Sequence, residues 1–66
     1  MELTLNGKKQ TLDDNTSVAR MIADLYGTDK GIAVAVNNTL ITRSNWDNHY
    51  LAPDDEVVII KAAYGG

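Results

Sequence analysis

Sixty-six residues make one domain, and a domain of that size buries only about 60% of its unfolded surface, which leaves little room for a catalytic cavity beside a core. The formal charge is −3, and the six basic residues (Lys8, Lys9, Arg20, Lys30, Arg43, Lys61) are scattered, so there is no basic stripe to neutralise phosphates and nucleic acid is not an expected partner. Cysteine is absent, which excludes disulfides and any side-chain thiol chemistry.

The chain opens on an alternation. Leu3 and Leu5 are apolar between polar Glu2, Thr4 and Asn6, the period of a strand with one buried face. Asn6-Gly7 suits a two-residue hairpin turn, whose central positions both need positive φ, and Lys8 to Leu12 return as a second strand. Asp13 to Thr16 form a polar break, after which Ser17 or Thr16 is placed to cap a helix. Val18, Met21, Ile22 and Leu25 then recur at i, i+3, i+4 and i+7, and Gly27 stands where a left-handed residue commonly ends a helix. Ile32 to Val36 reads as an apolar strand between Gly31 and Asn37-Asn38, and Leu40 to Thr42 as a short strand. Ser44 is placed to cap a single turn that carries Trp46 onto the core. Pro53-Asp54-Asp55 marks a turn, Val57 to Ile60 the last strand, and residues 62–66 a flexible tail. A hairpin, one amphipathic helix and further strands imply an α+β fold, a mixed sheet of four to five strands with the helix across one face. That is the β-grasp arrangement.

Side-chain chemistry is sparse. His49 is the only histidine, with no cysteine or second histidine to complete a zinc or nucleophilic site, so no metal site is expected. Asp13-Asp14 and Asp54-Asp55-Glu56 fall in turns, where aspartate bonds the local backbone. The longest apolar runs, Ile32 to Val36 and Val57 to Ile60, are far short of the roughly 20 residues of a membrane span. Glu2 follows Met1 with no basic start and apolar stretch after it, so no signal peptide is expected, and the expected location is the cytoplasm, with no membrane partner. The end of the sequence differs from the rest. An α-carboxylate is ionised near neutral pH and can attack an activated phosphate, and Gly65-Gly66 removes every side chain around it, so an extended tail can thread a narrow channel. Taken alone, a terminal Gly-Gly is equally the mark of a frayed end or an expression scar. Its place after a last strand makes the domain a handle and the tail a reagent.

The sequence resembles the ThiS family, the ubiquitin-like sulfur carriers of thiamine (thiazole) biosynthesis. The resemblance rests on the hairpin with Asn6-Gly7, the helix from Val18 to Leu25, and Ile32-Ala33-Val34-Ala35-Val36-Asn37-Asn38. It continues through Arg43-Ser44-Asn45-Trp46 and Asp54-Asp55-Glu56-Val57 to Gly65-Gly66. Asn38 and Asp54 or Asp55 stand where the family often has glycine, and Thr42 where proline often precedes the arginine; Asn and Asp tolerate left-handed backbone, so the turns can survive. The resemblance implies a protein co-substrate rather than an enzyme, with no bound cofactor. An E1-like, ThiF-type adenylyltransferase would use MgATP to adenylate the carboxylate of Gly66. A persulfide supplied through a cysteine desulfurase would displace AMP, and the resulting thiocarboxylate would pass its sulfur to a ThiG-type thiazole synthase.

Period-two alternation also places a contact surface. If Leu3 and Leu5 face the helix, so do Val57 and Ile59, and Val58 and Ile60 lie on the opposite face beside small Ala33 and Ala35. Either the Trp46 segment covers them or they form an exposed apolar patch of the kind that marks protein contacts. With Tyr64 they are expected to dock on the adenylating enzyme. Two other readings stand beside this one. A molybdopterin-synthase small subunit would use the same tail on the same fold, and a non-catalytic β-grasp binding module would not need Gly65-Gly66 at all.

Overall fold

The computed structural model describes residues 1–62 of the chain. Strands β1 (Glu2–Leu5) and β2 (Lys8–Thr11) form the expected hairpin, followed by helix α1 (Val18–Tyr26), β3 (Ile32–Val36), β4 (Thr39–Ile41), a 3₁₀ turn at Arg43–Asn45 and β5 (Glu56–Lys61). The five strands make one mixed sheet in the order β2-β1-β5-β3-β4. β1 runs parallel to β5, and the other neighbours are antiparallel. The last strand in the sequence is therefore the middle strand of the sheet. This is the α+β, β-grasp architecture that the element order implies.

Local chemistry accounts for the boundaries. Asn6 and Gly7 have φ of 51° and 81°, and Asn37 and Asn38 have 51° and 67°, the paired positive values that match two-residue turns to the twist of their strands. At the start of α1, Ser17 Oγ accepts the Arg20 N–H at 3.1 Å, which satisfies a first-turn donor. Gly27 ends the helix with φ 70°. Thr16 serves the preceding turn instead, its Oγ1 donating to Asp13 O at 2.6 Å.

The core lies between α1 and one face of the sheet. Leu3, Val18, Met21, Ile22, Val34 and Val57 are its most deeply buried side chains, with Ile32, Val36, Ile41, Trp46, Leu51 and Ile59 around them. Val57 and Ile59 do face the helix with Leu3, as alternation requires. The helical stripe differs at its end: Leu25 is exposed, whereas Tyr26 packs against the core. The final turn of α1 is covered only on the side that carries Ala19, Ile22 and Tyr26. The turn before Trp46 differs too, since Ser44 lies within it, Thr42 holds the N-cap position and no side chain caps it. Its outcome is as expected, because Trp46 reaches the core and its Nε1–H donates to Ile41 O at 3.0 Å. No helix among the described residues is long and apolar enough to cross a membrane.

Candidate functional site

One helix covers one face of a sheet, and the alternation of β5 decides what the other face shows. Glu56, Val58 and Ile60 point away from α1; Val58 is 38% and Ile60 63% exposed. Register places Ile60 opposite Ala33 and Val58 opposite Ala35, and Ala35 opposite Leu40, itself 66% exposed. The result is a bare apolar strip across β5, β3 and β4, with small alanines at its centre. The Trp46 segment does not cover it, because Trp46 lies on the helix side, next to Ala19, Ile22 and Ala23. Of the two arrangements open to the sequence, the exposed patch is the one present.

The strip ends where β5 ends. Pairing with β3 runs from Val57 to Lys61 and continues one residue further, since the Ala62 N–H donates to Gly31 O at 2.7 Å. Ala62, assigned to the tail from sequence, is thus tied to the residue before β3. Lys30, Arg43 and Ile60 border a shallow hollow beside it. Tyr64, Gly65 and Gly66, the remaining residues expected to carry function, lie outside the described residues.

Several contacts hold this end of the sheet. Arg43 lies 5.2 Å from the centre of the Trp46 ring, a cation–π distance. Its guanidinium also donates to Asp29 O and sits 3.8 Å from the Asp29 carboxylate. The Arg43-x-x-Trp46 pattern is therefore a brace between the 3₁₀ turn and the loop that leads into β3. On the helix side, Lys61 Nζ lies 5.7 Å from the centre of the Tyr26 ring. At the opposite end, Asn37 Oδ1 accepts the Glu56 N–H at 2.9 Å and Asn37 Nδ2 donates to Asp55 at 3.0 Å. Asp55 also accepts the Ala52 N–H at 2.8 Å, the backbone-bonding role expected of an aspartate in a turn.

The acidic turns and His49 build no reactive centre among the described residues. No three of their His, Asp or Glu side chains converge as metal ligands would. His49 is half-buried, and its backbone carbonyl accepts the Val18 N–H at the start of α1. Sequence reasoning missed contacts at this site, one of them at Asn6. Asn6, read as a turn residue, also bonds through its side chain to both main-chain groups of Ile59. Fifty-three positions separate the partners, so no local pattern signals the pair.

The ThiS family model matches residues 2–66, nearly the whole chain and both terminal glycines. A crystal structure of the thiamine biosynthesis protein ThiS from Geobacter metallireducens superposes with a TM-score of 0.85 at 26% identity, over 100% of both chains. A solution structure of a thiamine biosynthesis protein from the same organism superposes at 0.82, again at 26% identity, over 100% of this chain and 88% of that one. No curated protein matches the chain. A family match that runs unbroken from β1 to Gly66, on a fold shared along the full length with a thiamine biosynthesis protein, leaves one assignment: the chain belongs to the ThiS family.

Proposed function

We propose that this protein is a sulfur carrier of thiamine biosynthesis and that the carboxylate of Gly66 is its working group. The observation that carries the reading is the family match through Gly65-Gly66. The structure supports it with a domain that keeps β5 paired as far as Ala62 and leaves an apolar strip open beside that point. In this reading the domain is acted upon by partner enzymes and is not itself a catalyst.

In the proposed cycle an E1-like adenylyltransferase of the ThiF type binds MgATP. The Gly66 carboxylate attacks the α-phosphate, pyrophosphate leaves, and the acyl carbon becomes bonded to a good leaving group. A persulfide sulfur, supplied through a cysteine desulfurase, displaces AMP. Cleavage of its S–S bond by a thiol leaves the thiocarboxylate, and a ThiG-type thiazole synthase accepts the sulfur. In this reading the cycle takes place in the cytoplasm. Val58 and Ile60, and Tyr64 beyond them, form the docking surface for the adenylating enzyme. Gly65 contributes access, because a glycine adds no side chain where the tail must enter a partner's site.

Intact mass decides the matter. After incubation with the E1-like enzyme, MgATP and a sulfur source, the chain should gain the mass difference between sulfur and oxygen, and a variant lacking Gly66 should gain nothing. An unchanged wild-type mass, under conditions that convert an established carrier, would falsify the reading.

A further inference from the structure

β1 leaves the sheet too early to guide the end of β5. Its parallel pairing covers Thr4 with Glu56 and Leu5 with Val57, and the chain then reverses through Asn6 and Gly7 into β2. β5 continues to Lys61. Val57, on the side of β1, receives the Asn6 N–H on its carbonyl at 2.9 Å. The next residue of β5 with the same orientation is Ile59, and by then the β1 main chain has turned away. The Asn6 side chain takes its place. Its Oδ1 accepts the Ile59 N–H at 2.8 Å, and its Nδ2 donates to Ile59 O at 3.4 Å. A carboxamide has the donor and acceptor of a peptide group, so it reproduces the residue that a longer β1 would have placed there.

We propose that Asn6 is a positioning residue for the tail: its amide completes the β1 edge of β5 at Ile59 and so fixes the direction in which the chain leaves Ala62. The proposal rests on the carrier reading above. The other edge of β5 is held by β3 as far as Ala62. A strand held on both edges keeps its twist and heading, whereas one held on a single edge can pivot about that ladder. Heading matters for a tail that must bring a carboxylate to an activated phosphate, because reaction in a bound complex depends steeply on attack geometry. The turn alone does not require the amide. Glycine also supplies positive φ at both central positions, at some cost in backbone entropy, so turn and clamp can be separated.

Asn6→Gly keeps the positive φ of the turn and removes the amide. Amide hydrogen exchange should show Ile59 losing about fivefold to tenfold in protection, the scale of one hydrogen bond, beyond any loss shared with Leu3 and Val34. In thiocarboxylate formation with the E1-like enzyme, kcat should fall several-fold with KM for the carrier unchanged, since the docking strip is untouched. Asn6→Asp, which keeps the acceptor for the Ile59 N–H and loses the donor, should fall between the two, and it supplies the same comparison if Asn6→Gly does not fold. Unchanged kcat would overturn the proposal. So would a rise in KM alone, which would assign Asn6 to docking. If the wild-type chain itself acquires no sulfur, the carrier reading falls and this proposal with it; if it does and Asn6→Gly matches it, only the positioning role falls.

Discussion

Thr42 has the backbone of a proline. Its φ of −66° and ψ of 149° match the values the pyrrolidine ring enforces, and Ile41 before it is extended in β4, as a residue preceding proline must be. Thr42→Pro should therefore stabilise the domain by roughly 0.4–1 kcal/mol through the entropy of the unfolded chain. A urea unfolding midpoint measures this, and a fall in that midpoint would mean that the Thr42 N–H or its exposed contact with Ser44 carries more than the ring returns. The same logic explains the residues that stand where the family often has glycine. Asn38 and Asp54 have φ of 67° and 69°, and both are residue types that visit this region more readily than other side chains. Their tolerance was legible in the sequence. The second use of Asn37, as a clasp on Asp55 and Glu56, was not, because it depends on where a turn nineteen positions away comes to lie.

At the scale of elements, the strands and the helix could be read to within a residue or two, because each carries its own periodicity and its own turn residues. Glu56 and Lys61 extend β5 by one residue at each end, where polar side chains hide a strand that is set by backbone pairing. The helix shows where periodicity alone fails. Leu25 satisfies the i+7 spacing yet faces water, and Tyr26 packs against the core in its place, with Lys61 at the end of β5 beside its ring. The helix start is better determined. Ser17→Ala removes an N-cap bond at an exposed helix end and should cost about 1 kcal/mol, with 0.5–2 the usual span. Thermal unfolding of the variant tests this, and Ser17→Asp should recover most of the loss.

Among the described residues there are two layers, with one helix on one side of five strands, and the other face of the sheet has no cover. That could be inferred from the sequence by counting elements, and the exposure of Val58 and Ile60 by parity along β5. Val58→Lys should leave unfolding within about 0.5 kcal/mol of wild type, as at most surface positions. It should nonetheless weaken binding to the adenylating enzyme by about tenfold or more, the loss typical of an apolar contact at the centre of an interface. Calorimetric titration of the folded variant measures this, and wild-type affinity would remove Val58 from the docking surface. The position of β5 has another consequence, for the order of folding. Among the described strands the central one is the last to be synthesised, and it joins the N-terminal hairpin to the β3–β4 hairpin, so the sheet cannot close until β5 has been made. A chain released early lacks the strand that unites the two hairpins as well as the terminal glycines. A chain that stops before β5 therefore presents neither a closed sheet nor a tail, and a partner that recognises the sheet does not engage it.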